Sequence, residues 1–146
     1  MTTHKSDSSE QRQAEIEILD SLSAKLGLTF GDHDLGRFGV KPDGVDTSKK
    51  VIVEVYARVG ELKGAQLHKV KADLLKLVYL GDRLGSDWRK IMCFGSDAAA
   101  AAVRGKSWAA QAAKHFNVEV IVQPLSAEQA QRVVLAQSRQ KMVNAA

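Results

Sequence analysis

Two acids and a tyrosine pose the chemical question in this sequence. In PDGVDTSKKVIVEVYA, residues Pro42 to Ala57, Asp43 follows a proline, Glu54 sits inside an apolar run, and Tyr56 stands two residues beyond it. The residues Asp46 to Lys50 between them are polar and turn-rich, which predicts a hairpin. With the turn centred between Ser48 and Lys49, Asp43 faces Glu54 across the ladder. Facing residues share one side of a sheet, with Cβ atoms roughly 4.5–5.5 Å apart. Two carboxylates that close repel unless a cation lies between them, the arrangement a divalent metal needs. A tighter turn would bring Asp46 into the place of Asp43.

Strand alternation adds a second constraint. Ile52, Glu54 and Tyr56 point one way, while Val51, Val53, Val55 and Ala57 point the other. A lone ionised carboxylate is costly to bury, so Glu54 either has a partner or lies on an open, solvated face. The segment AQLHKVKADLLKLVYL follows, and its spacing predicts an amphipathic helix that ends at Gly81, with Leu67, Val70, Leu74, Leu77 and Val78 on the apolar side. Gln66, Lys69 and Asp73 form a polar stripe beside that face and could be directed at the acids. Lys69 could equally be an exposed lysine paired with Asp73 one turn on. Lys71 and Lys76 are expected on a different side, in solvent. Glu15 continues the stripe of Leu19, Leu22 and Leu26. It could reach a metal at the rim of the sheet, or serve as a first-turn acid favoured by the helix dipole.

The elements that must position these groups follow from the rest of the chain. Residues 1–8 are polar and expected to be a disordered tail, with one domain over 9–146. A helix is expected from Ser9, with Ser8 and Gln11 as a capping box and Gly27 as its stop. Residues 28–40 mix strand and turn signals and suggest a first strand or hairpin arm. Val51–Ala57 is the clearest strand, being rich in β-branched residues without a breaker. A short strand over 90–95, helix over 98–116 interrupted near Gly105 and recapped by Ser107, a strand in VEVIVQPL and a terminal helix capped by Ser126 complete the order. The class is α/β, with a mixed central sheet flanked by helices.

Composition sets outer limits. The chain of 146 residues is 45% hydrophobic and 26% charged, with a formal net charge of +4. Mild basicity is compatible with nucleic acid as a partner without requiring it. Aromatic residues make up only 5%, too few for binding of single strands mainly by base stacking. The single cysteine, Cys93, excludes a disulfide framework and a cysteine-based zinc site, and its apolar run KIMCFG points to core. No stretch is apolar enough to span a bilayer and no signal peptide is evident, so a cytoplasmic protein without membrane association is expected. The four histidines are scattered, and neither a Gly-rich phosphate loop nor a Ser-His-Asp arrangement is visible.

Pro42-Asp43, the short hairpin and Glu54 together resemble the PD-(D/E)XK nuclease superfamily, and the order of elements over residues 9–125 is similar to its core. The segment ELKGAQLHKVKADLLKL also looks like the helix that follows the active strand in bacterial members. The resemblance implies a restriction-endonuclease-like core in α-β-β-β-α-β order and a metal-dependent endonuclease hydrolysing DNA. The cofactor it implies is Mg²⁺, with Mn²⁺ as a substitute, held by Asp43, Glu54 and the Val55 carbonyl, and by Glu15 if it reaches. The sequence departs from the motif where Tyr56 replaces the lysine. In some branches the neighbouring helix supplies that ammonium, and Lys69 is the residue expected to do so, with Lys63 and Lys71 behind it. Gln66 and Tyr56 would orient water or phosphate, and Arg37, Lys41, Lys49 and Lys50 would neutralise the DNA backbone. At this size dimerisation, as a homodimer, or a partner is expected, with Val133, Val134 and Met142 of the terminal helix as one possible interface. The alternatives are an inactive nuclease-fold module that binds nucleic acid or a partner protein, and an unrelated α/β domain that binds a small ligand.

Overall fold

The structure is a computed structural model that describes the backbone of residues 3–31 and 35–145, and the side chains of residues 9–31 and 35–142. Helix α1 (Thr3–Leu26) precedes the hairpin strands β1 (Gly44–Asp46) and β2 (Val51–Tyr56). Then come α2 (Ala65–Leu84), β3 (Arg89–Phe94), α3 (Asp97–Ala100), α4 (Trp108–His115), β4 (Val118–Val122) and α5 (Ala127–Ala145). The strands form one sheet in the order β1-β2-β3-β4, with β1 antiparallel to β2 and the other two pairs parallel. The fold is therefore α/β with a mixed four-stranded sheet flanked by helices.

All six residues of β2 are buried, because helices cover both faces of the strand. Ile52 and Tyr56 pack with Val70, Leu74 and Leu77 of α2 on one side. Val51, Val53, Val55 and Ala57 pack with Ala14, Ile18 and Leu22 of α1 and Val133 of α5 on the other. This is the alternation read from the sequence. The hairpin register also agrees, with Gly44 facing Val53, Val45 facing Ile52 and Asp46 facing Val51. Ser107 and Ser126 cap α4 and α5 by accepting from Ala110 N–H at 3.1 Å and Gln129 N–H at 3.2 Å.

Four expectations are corrected. Only two strands precede α2 among the described residues, so the order is not α-β-β-β-α-β. The segment after α1 does run beside β1, with Gly31 N–H donating to Val45 O at 3.1 Å. However, Thr29 N–H is taken by the Asp46 side chain at 2.8 Å, and the ladder does not propagate. Second, α1 is helical from Thr3, within the segment expected to be a tail, so Ser8 and Gln11 are not its capping box. Gln11 instead donates to Glu15 one turn on at 3.4 Å. Third, α2 passes through Gly81 and ends at Leu84. The Lys90 stem lies over Gly81, where a Cβ would come 2.6 Å from its Cδ and displace it. Fourth, Val133 is buried against the sheet, whereas Val134 and Met142 are exposed.

Candidate functional site

Strand β1 is three residues shorter than its partner, and the shortfall creates the site. Beyond Gly44 the ladder ends, and the side chain of Asp43 takes over for one more step. Asp43 Oδ2 accepts from Val55 N–H at 2.9 Å, while Asp43 N–H donates to Glu54 Oε2 at 3.2 Å. The Glu54 side chain thus binds the Asp43 backbone, and the Asp43 side chain binds the β2 backbone one residue beyond Glu54, on the edge that β1 leaves open. Val55 directs its N–H to that edge, and strand geometry turns its carbonyl the same way.

Glu54 is fully buried, Asp43 is exposed, and α2 lies across them. Burial and the Asp43 carboxylate beside it push the Glu54 carboxyl up to about 8, against the opposing pull of Lys76. Lys76 forms an ion pair with Glu54, donates to Lys41 O at 3.3 Å and lies 3.6 Å from Asp73 Oδ1. Burial works against the charge on Lys76, but Glu54, Asp73 and Asp43 outweigh it and the ammonium is held more tightly than usual. Asp73 in turn accepts from Tyr56 Oη at 3.0 Å and from Lys69 Nζ at 2.7 Å.

Lys69 therefore makes the i, i+4 pair with Asp73 that the sequence left open, and does not contact Asp43 or Glu54. Lys76, expected in solvent, is the lysine that meets the acid; its side chain is 23% exposed against 62% for Lys69. The signal was present in the spacing. Gln66, Lys69, Asp73 and Lys76 follow at intervals of three, four and three, which is one continuous stripe. Tyr56 is a packing residue with one polar tie. Its ring stacks on Phe94 with centroids 4.6 Å apart, and burial, Asp73, Glu54 and Asp43 all disfavour its ionisation.

Glu15 sits in the body of α1, not its first turn, so the helix-dipole reading falls. Partial burial and the nearby Asp43 raise its carboxyl above the ordinary range. Together with Val55, Tyr56, Arg58, Gln66 and Lys69 it lines a cavity of about 160 Å³ at the carboxyl end of β2. Open α/β sheets bind ligands at such strand ends. Asp46, the alternative to Asp43, ends β1 and braces the turn. It is buried and accepts from Thr29 N–H, Lys49 N–H and Ser48 Oγ, which hold its carboxyl below the usual range.

Of the basic residues proposed for the DNA backbone, Lys49 and Lys50 lie in the hairpin turn. Lys50, the nearer, is four residues, about 13 Å of strand, from Glu54. Lys50 is paired with Asp87. Arg37 stacks over Phe38 at 4.4 Å. Lys41 touches the site only through its carbonyl.

The donor set was tested for Mg²⁺ on its charge and chemistry. Four carboxyl groups (Glu15, Asp43, Glu54 and Asp73) lie with two ammonium groups (Lys69 and Lys76), so oxygen donors outnumber the cations beside them. No group of three or more His, Cys, Asp and Glu side chains among the described residues is arranged to hold a metal. Mg²⁺ does not need such a cage. It is typically held by one or two carboxylates together with water and substrate phosphate, and Asp43, Glu54 and the Val55 carbonyl fit that pattern. No helix among the described residues is long and apolar enough to cross a membrane. No protein-family model, curated protein or solved structure matches the chain.

Proposed function

We propose that the chain is a Mg²⁺-dependent nuclease with a restriction-endonuclease-like core, hydrolysing phosphodiester bonds of DNA. The observation that carries this reading is the junction at the open edge of β2, where Asp43 donates its N–H to Glu54 and accepts from Val55 N–H, with a lysine from the next helix on Glu54. Asp43, Glu54 and the Val55 carbonyl would hold the ion, which supplies a water of lowered pKa and a polarised phosphate when bound. Lys76 takes the part of the motif lysine that Tyr56 replaces, presenting its ammonium to the charge that develops on the scissile phosphate. Lys69 and Gln66, on the rim of the smaller cavity, orient that phosphate. Tyr56 acts only through Asp73, which holds both lysines.

One observation favours the alternative, a nuclease-fold module that binds without cutting. Lys76 already neutralises Glu54, so the buried acid is satisfied without a metal. Supercoiled plasmid incubated with Mg²⁺ or Mn²⁺ separates the two. Nicking that is lost in both Asp43→Ala and Glu54→Ala supports the enzyme. Wild type as inert as the variants, with either metal, leaves the binding module.

A further inference from the structure

A second, larger cavity adjoins the smaller one and is lined mainly by basic residues among its charged groups. It measures about 530 Å³ and lies between the segment after β2 and one face of α5. Arg58 and Gln66 line both cavities, so the two adjoin, and together they form a groove from Glu15 and Val55, the residue after Glu54, to α5. Arg58, Lys63 and Lys141 face the larger part against a single acid, Glu61. None of the three is in an ion pair among the described residues.

Arg58 is the unusual member. Arginines left without a carboxylate normally reach into solvent, where water satisfies the guanidinium. Arg58 is instead half-buried, with burial the sole influence on its charge, which it disfavours. Its backbone is fixed on both sides. Ser96 Oγ donates to Arg58 O at 3.4 Å, and the Gln137 amide exchanges two hydrogen bonds of 3.0 Å with the N–H and C=O of Val59. A partly desolvated guanidinium without an ion pair among the described residues, carried on a fixed backbone and flanked by two lysines in a groove of this size, is suited to an oxyanion.

We propose that this groove binds the phosphodiester backbone of the nucleic-acid strand as it leaves the cutting site, with Arg58 and Lys141 on its phosphates. The proposal rests on the nuclease reading for the direction of the strand, but not for its test. Binding of a fluorescein-labelled oligonucleotide, single-stranded or duplex, is followed by anisotropy in EDTA, where no cleavage occurs. Arg58→Gln and Lys141→Gln should each weaken binding roughly tenfold, as loss of a charge-assisted contact does. Each should also flatten the dependence of log affinity on log salt by about 0.7 for the single strand or about 0.9 for the duplex. Lys106→Gln, remote from the groove, should bind as wild type does. Lys141 is exposed on α5, so its variant reads the groove even if Arg58→Gln is unstable. If both groove variants keep wild-type affinity and salt slope, or wild type binds neither oligonucleotide, the groove is not a phosphate site. Plasmid nicking judges the acid pair separately in either case. The oligonucleotide bound more tightly tells which form of nucleic acid the groove takes.

Discussion

Lys76 pairs with Glu54 across the gap between α2 and β2, while Lys69, two turns earlier on the same stripe, spends its charge on Asp73. The two lysines should therefore differ sharply in consequence. Lys76→Met is expected to lower the plasmid-nicking rate by about 10²-fold or more, the range for losing a preorganised charge at a reacting phosphate. Lys69→Met should lower it less than about tenfold, since its ammonium is largely in solvent. Equal losses, or a larger loss at Lys69, would return the catalytic role to Lys69.

The buried acid gives stability a pH dependence of definite sign. Glu54 binds its proton more tightly in the folded state, with its carboxyl near 8 against 4.5 when unfolded. Its contribution is complete below the unfolded value and is lost as pH rises through about 8. In EDTA, the melting temperature of wild type should fall between pH 5 and pH 9 relative to Glu54→Gln, which has no proton to lose. Mg²⁺ should recover part of the loss at pH 9. Parallel melting curves for the two proteins across that range would show that Glu54 titrates normally.

Tyr56 marks where the sequence departs from the nuclease motif, and its surroundings explain why restoring lysine is not a repair. Tyr56→Phe keeps the stack on Phe94 and removes one hydrogen bond to an acid that retains two lysines. It should cost about 1 kcal/mol in denaturant unfolding. Tyr56→Lys loses the ring from a site that is 6% exposed. It should cost about 3–5 kcal/mol, as deletion of a buried aromatic does. Similar unfolding midpoints for the two variants would contradict this account.

Cys93 lies in the centre of β3 with no exposed surface, and burial pushes its thiol up to about 12. Without thiolate or access it should be inert. Native protein should release no colour with a thiol-exchange reagent over an hour at pH 8, and one equivalent once denatured. Prompt reaction of the native protein would mean that the sheet opens at β3.

Much of this site was legible because hairpins obey a strict period. The turn-rich Asp46–Lys50 and the two-residue alternation were enough to set Asp43 opposite Glu54 and to put Tyr56 on the same face. What escaped the sequence depends on contacts between distant elements. Whether residues 28–31 form a strand is decided by Asp46, seventeen residues from Thr29, whose side chain takes the N–H a ladder would need. Gly81 reads as a helix terminator until the Lys90 stem is seen lying over it. Arg58 carried no signal, since nothing in the sequence says that α5 would close over it. Lys76 is a different case, because its stripe was readable from the intervals alone.

The pair of hydrogen bonds between Gln137 and Val59 joins segments 78 positions apart in the chain. A ribosome makes the acid hairpin, its covering helix and the sheet before it makes the partner that pins the loop beside them. Domains fold progressively as they emerge during synthesis, so Asp43, Glu54 and Lys76 can meet while Arg58 is still on an untethered loop. The groove closes only after α5 has left the exit tunnel. An unfinished chain would carry the acids without the wall proposed to receive the strand.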